Sequence, residues 1–321
     1  MLMAGCGNAP SEATQGATTA PSTTAPAPTA SQVAKEALDD KRVLFIGNSY
    51  TFWANTVINK KNYILTQEER SNDNGMFYQL CKENGMEVSV TNWAFGSHNF
   101  TDIMSHECLC ENVDCEGADH MSFLTDPAFD YVAMQLFYET EYTGDLISHL
   151  KPAMDFFRQA NPDVKFLLEV PHMTYVRNFQ WKDHISQLAD EGVIICNWGG
   201  MLDDIVNKRI EVPGATQQYF QQTFVISRDE KDGHHQNLLV GYLTALMTYC
   251  AITGDSAVGQ PYDFCDDPSI HPNFDMESFR QNNYTYETFT NFVDVYRSAS
   301  DMNGLQQLVD TYIAKYNGAV N

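Results

Sequence analysis

The sequence predicts an α/β fold of three layers, α/β/α, around a central parallel sheet of about five strands. Two observations predict it. Short apolar runs of four to seven residues recur between residues 41 and 197, each with the length and composition of a buried strand. Between them lie stretches of ten to fifteen residues with apolar positions at helical spacing. Strands alternating with such helices build parallel βαβ units, and the absence of an internal repeat points to one doubly wound sheet.

Each element follows from its own residues. Arg42–Gly47 (RVLFIG) is an apolar run ending in glycine and reads as the first strand. Glu87–Asn92, Asp130–Gln135, Val164–Val170 and Gly192–Asn197 supply the other four. Asn74–Gly85 and Gln180–Gly192 read as helices stopped by glycine, the residue that most readily takes the left-handed conformation past a last turn. Leu146–Ala160 is helical up to Asn161-Pro162. Leu238–Thr253 is apolar on every side and capped by Gly254, so it reads as a buried helix. Ser278–Asn317 reads as one or two surface helices, and Pro213–Asp232 as irregular. Residues 55–73, polar and rich in Lys, Glu and Asn, and residues 105–125 interrupt the alternation as insertions.

Charge narrows the function by exclusion. The 321 residues carry 19 Lys and Arg against 42 Asp and Glu, a net charge of −23. No basic face is available for a phosphate backbone, which argues against a nucleic-acid partner. The same balance disfavours electrostatic docking on anionic lipid, and no apolar stretch approaches the ~20 residues of a spanning helix.

The charge is unevenly placed. Every Lys and Arg lies at or beyond Lys35, and residues 1–34 hold one ionisable side chain, Glu12. Between Ala9 and Ser31, 21 of 23 residues are Ala, Pro, Ser, Thr or Gly. Such a segment has almost nothing to bury against the entropy of ordering, so residues 1–34 are expected to form a tether and residues 35–321 a single folded domain. Met3-Ala4-Gly5-Cys6 resembles a bacterial lipobox, which implies lipidation at Cys6 and a place on the extracellular side of a bacterial membrane. The alternative is an ordinary tail in which Ala-Gly-Cys occurs by chance.

In open parallel sheets, ligands bind where loops leave the C-terminal ends of strands. By that rule the residues to inspect are Asn48-Ser49-Tyr50, then Trp93 to His98, then Gln135 with Phe137 beyond it, then Pro171-His172. Ser49 follows a strand directly, and a serine hydroxyl becomes a nucleophile once a base accepts its proton. Histidine is the default base, and a carboxylate holds it in one tautomer. Asp232-Gly233-His234-His235 offers both in one loop just ahead of the buried helix. Gly-Asn-Ser alone is a common turn, and Asp-Gly-His-His alone is a loop or a weak metal site; their joint order along a βαβ chain makes the case.

Val43–Thr51 (VLFIGNSYT) together with Asp232-x-x-His235 resembles the SGNH/GDSL hydrolase superfamily. The continuation His235-Gln236-Asn237, Gly241-Tyr242-Leu243 and Ile252-Thr253-Gly254 resembles a bacterial branch with Gly-Asn-Ser at its nucleophile. The resemblance implies a flavodoxin-like fold over residues 41–254. It also implies Ser49 as nucleophile, His235 as base rather than His234, and Asp232 as its orienting partner. The backbone N–H groups of Ser49 and Gly96 would form part of the oxyanion hole. The chain departs from the family where Asn48 replaces an aspartate and where no Gly-x-Asn-Asp block occurs; Gln135 is the nearest substitute for that block's amide donor. One such donor is worth roughly 3 kcal/mol in a transition state.

Asn48, His98, Phe137 and His172 stand near strand ends as candidate substrate-binding residues, and with Trp53, Trp93 and Tyr138 they suggest a cleft with aromatic walls. Cys81, Cys196 and Cys250 fall in elements expected to be buried and read as core residues. Cys108, Cys110 and Cys115 could form a disulfide, with Cys265 able to join, or stay as thiols; zinc is disfavoured by the single-residue gap. No metal or cofactor is expected. The resulting expectation is a surface-tethered serine esterase acting on small esters, with O-acetyl groups on extracellular glycans as the natural substrate. A catalytically silent glycan-binding lipoprotein and an acyltransferase are the alternatives.

Overall fold

The computed structural model describes residues 31–48, 50–51, 75–94, 100, 104, 124–125, 127–135, 146–171, 182–224, 236–265, 295 and 298–318. Its strands are β1 (Lys41–Gly47), β2 (Val88–Ala94), β3 (Tyr131–Gln135), β4 (Lys165–Glu169) and β5 (Ile194–Cys196). They pair in the order β2-β1-β3-β4-β5, all parallel. This is the doubly wound order in which the chain reverses direction across the sheet between β1 and β3. The expected fold class is therefore observed, and each strand lies within two residues of its expected bounds.

Alternation along the strands creates the layers. In β1, Val43 and Phe45 face one side while Leu44 and Ile46 face the other, and all four are buried. The first side is covered by α1 (Gln32–Leu38), α2 (Met76–Glu83), α5 (Trp198–Val206), α7 (Leu238–Thr253) and α8 (Ala299–Asn317). The second is covered by α3 (Leu146–Ala160) and α4 (Lys182–Asp190). A one-residue slip would exchange the two faces, so the patterned burial fixes the register.

Helix α7 is the centre of the first layer, in contact with α1, α2, α8 and β5. Fourteen of its 16 residues are buried, as its uniformly apolar sequence requires. It ends at Gly254, whose φ of 75° is left-handed and whose N–H closes the last turn on the Cys250 carbonyl at 2.8 Å.

Three expectations change. Helix α8 is not a surface helix: Met302, Leu305, Leu308, Val309, Tyr312 and Ile313 bury one side of it in the core. The stretch expected to be irregular contains a short helix, α6 (Gln221–Phe224), held by the local packing of Phe224 against Tyr219. Ser31 caps α1 by accepting from the Ala34 N–H at 3.0 Å, so α1 takes the last residues of the stretch expected as tether. Ala34 and Leu38 of α1 are fully buried.

The exposed edge of β5 is closed by a side chain. Asn317, at the end of α8, accepts from the Ile195 N–H at 2.7 Å and donates to its carbonyl at 2.8 Å. One amide thus imitates a neighbouring strand and blocks the edge against further pairing.

Candidate active site

The switch point between β1 and β3 places two sequence candidates, Asn48 and Gln135, together beside Gly47. Gly47 ends β1, Asn48 follows it, and Gln135 ends β3. Asn48 is fully buried, and Gln135 is 3% exposed. The Asn48 Oδ1 accepts from the Tyr50 N–H at 3.1 Å and from the Gln135 Nε2 at 3.1 Å. The first bond closes an Asx turn across residue 49, the position of the candidate nucleophile. The second ties that turn to the end of β3. The Thr51 hydroxyl then donates to the Gln135 Oε1 at 2.5 Å.

Gly47 makes this arrangement possible. A Cβ there would lie 1.9 Å from the Thr51 Oγ1 and 2.7 Å from the Gln135 Oε1. Neither atom is the end of a free chain, since each is held by the other. Glycine is therefore required by close approach of the chain to two side chains.

Asn48, a candidate substrate-binding residue, uses its amide oxygen on the turn. Gln135, expected as an oxyanion donor, spends one Nε2 N–H on Asn48 and its Oε1 on Thr51. Each side chain therefore has a holding role in the observed network.

The loop carrying the candidate base is fastened at its two ends. The Asn237 N–H donates to the Phe224 carbonyl at 3.2 Å, and the Asn237 Nδ2 donates to the Thr223 carbonyl at 2.7 Å. The Asn237 Oδ1 meanwhile caps α7 by accepting from the Val240 N–H at 3.2 Å. One side chain thus joins the departure of the chain after α6 to its return at α7. Gln236, next to His235, is 1% exposed. By strand alternation the Gln135 side chain lies on the side of Ala133, the layer to which Leu238 and Leu239 also belong.

Ser49, Gly96, His98, Phe137, His172, Asp232 and His235 lie outside the described residues, as do His234, Trp53, Tyr138, Cys6, Cys108, Cys110 and Cys115. Trp93 is 3% exposed and packs with Phe100, Leu124 and Ile46 in the second layer. It belongs to the core, not to an open cleft wall. Cys81, Cys196 and Cys250 are buried thiols, as expected. Cys265 is also buried.

Sequence reading passed over Glu169, at the C-terminal end of β4. It is the register partner of Gln135 and of Cys196, and it is 5% exposed. Burial pushes its carboxyl up to about 7, against hydrogen bonds from Thr248 and Trp198 that pull it down. The available signal was a carboxylate directly after the apolar Phe166-Leu167-Leu168 and before Val170.

No family model matches the chain, and no curated protein matches it. Three solved structures are similar. One is described as an SGNH hydrolase from Slackia heliotrinireducens, at 13% identity and TM-score 0.37, covering 66% of this chain and 98% of that one. A second is an acetyl xylan esterase variant from Geobacillus stearothermophilus, at 10% identity and TM-score 0.40, covering 67% and 96%. A third is a carbohydrate esterase family 2 enzyme with a carbohydrate-binding domain from Corynascus thermopiles (Myceliophthora fergusii), at 14% identity and TM-score 0.39, covering 71% and 67%. TM-scores of 0.37 to 0.40 carry no weight for the chemistry of this chain. The fold rests on its own sheet order.

Proposed function

We propose that this chain is a serine esterase of SGNH/GDSL type in which Ser49 is the nucleophile, His235 the base and Asp232 its orienting partner. The observation that carries the reading is the hydrogen-bonded bracket of Asn48, Tyr50, Thr51 and Gln135 around residue 49 at the sheet's switch point. A turn fixed on both sides is what a nucleophile needs, because catalysis depends on reacting atoms being held before reaction.

In the proposed cycle, the Ser49 Oγ attacks the carbonyl carbon of an ester while His235 takes the hydroxyl proton. The oxyanion is met by the Ser49 and Gly96 backbone N–H groups and by an amide N–H of Gln135. The imidazolium returns its proton to the departing alkoxide oxygen, leaving an acyl-enzyme. Water attacks the acyl carbon, His235 takes its proton, and the free acid leaves as Ser49 regains a hydrogen.

The net charge of −23 favours neutral esters over phosphate-rich or uronate-rich substrates by simple repulsion. We take acetyl esters on extracellular glycans as the substrate class, with His98, Phe137 and His172 around them and Cys6 as the lipidated anchor. Ser49→Ala should abolish hydrolysis of nitrophenyl acetate while the thermal midpoint stays unchanged. Undiminished turnover in that variant would end the triad reading. A silent glycan-binding protein would show no turnover before substitution either.

A further inference from the structure

Glu169 is a buried carboxyl whose side-chain partners among the described residues are Trp198 and Thr248. By strand alternation its side chain turns with Leu167 into the layer of α5 and α7. The Trp198 Nε1 of α5 donates to Oε2 at 3.2 Å, and the Thr248 hydroxyl of α7 lies 2.8 Å from Oε1. The groups facing it from neighbouring strands are Gln135 of β3 and Cys196 of β5. Cys196 is the titratable one, and its thiol is pushed up by burial and then by Glu169. Behind it, Cys250 of α7 is raised by burial too, and so stays neutral. Among the described residues no Lys or Arg is buried.

The proton count decides the state of this group. The Thr248 Oγ1 is 2.8 Å from the Glu169 Oε1 and 2.9 Å from the Thr244 carbonyl oxygen. A hydroxyl has one hydrogen and cannot donate to both. With a proton on Oε1, the carboxyl donates to the Thr248 Oγ1, and the Thr248 hydroxyl donates to the Thr244 carbonyl. Trp198 donates to Oε2 as before, and every short contact then has its hydrogen. With Glu169 ionised, one contact is acceptor against acceptor inside a dry core, a costly arrangement.

We infer that Glu169 is held as a neutral carboxylic acid joining β4 to α5 and α7, and that its ionisation is a built-in pH switch that loosens this joint. Burial raising the carboxyl from its ordinary 4.5 to about 7 agrees with the hydrogen count. Because the folded value lies above the unfolded one, the stability this group contributes is full below about 4.5. It is lost as pH rises through about 7. The joint lies between Gln135 on the neighbouring strand and the helix that follows His235, so the switch would act on both halves of the proposed active site. That last consequence rests on the esterase reading; the protonation itself does not.

Glu169→Gln tests it without any turnover, because glutamine reproduces the neutral acid with a fixed donor toward Thr248 and an acceptor for Trp198. Thermal unfolding of the full chain should give similar midpoints for both proteins at pH 5. At pH 8.5 the glutamine variant should melt higher by roughly 5–10 °C. A gap that is the same at both pH values, or reversed, overturns the inference. If the variant does not fold, protein labelled with 13C at glutamate carboxyls answers the same question. One carboxyl resonance should titrate near neutrality, and titration of all of them in the ordinary range would overturn it. A positive result with no esterase activity would leave the switch standing and remove only its link to catalysis.

Discussion

Gly47, Asn48 and Gln135 show how closely the nucleophile turn is fitted. Gln135 serves two buried partners at once, so removing it takes one of two hydrogen bonds from the Asn48 Oδ1 and takes the acceptor of the Thr51 hydroxyl. A lost hydrogen bond costs about 0.5–1.5 kcal/mol and an unmet buried donor about 1–3 kcal/mol. Gln135→Leu is therefore expected to lower stability by roughly 2–4 kcal/mol. It should also cut kcat about 100-fold or more, with KM little changed, because both the turn and an oxyanion donor suffer. Urea unfolding and steady-state kinetics check the two parts. Unchanged kinetics in a folded variant would free Gln135 from the mechanism. Position alone made Gln135 legible in the sequence, since it closes the third apolar run. Its bond to Asn48 was not legible, because 87 residues separate the two. Glu169 was missed for the same reason: its partners Trp198 and Thr248 are 29 and 79 residues away, and nothing local marks them.

At the level of elements, periodicity and glycine stops placed β1 to β5, α2, α3, α4 and α7, because each is decided by residues close in sequence. Helix α8 was placed correctly but given the wrong environment: its polar residues include Asp301 and Gln306, which are buried and hydrogen-bonded rather than solvated. The Asp301 carboxylate accepts from the Tyr219 hydroxyl at 2.6 Å and from Thr216 and Ser298 as well. These donors hold it below the usual carboxylate range although burial pushes the other way. Polarity therefore misled where tertiary partners satisfied it. The element most exposed to a single change is the start of α7, where Asn237 caps the helix and closes the loop after α6. Asn237→Ala should cost about 1–2 kcal/mol in urea unfolding and reduce turnover, since the loop bearing Asp232 and His235 returns there. A loss of stability with full turnover would mean that the loop does not need this fastening.

For the whole molecule, the uneven charge describes two parts. Residues 35–321 carry −22, and residues 1–34, whose one acidic side chain is Glu12, include the Ser31 cap of α1. Mass spectrometry of protein from its native membrane should find a diacylglyceryl group on Cys6, and an unmodified soluble N-terminus would contradict the anchor. The sheet order and the switch point put the bracketed turn at the C-terminal ends of β1 and β3. The central claim is that residue 49 in that turn is an activated serine. Treating the full chain with a fluorophosphonate probe and mapping the adduct by peptide mass spectrometry tests it most directly. The account predicts a single adduct on Ser49, lost in Ser49→Ala and strongly slowed in His235→Ala. An unlabelled protein, or an adduct on any other residue, would contradict it.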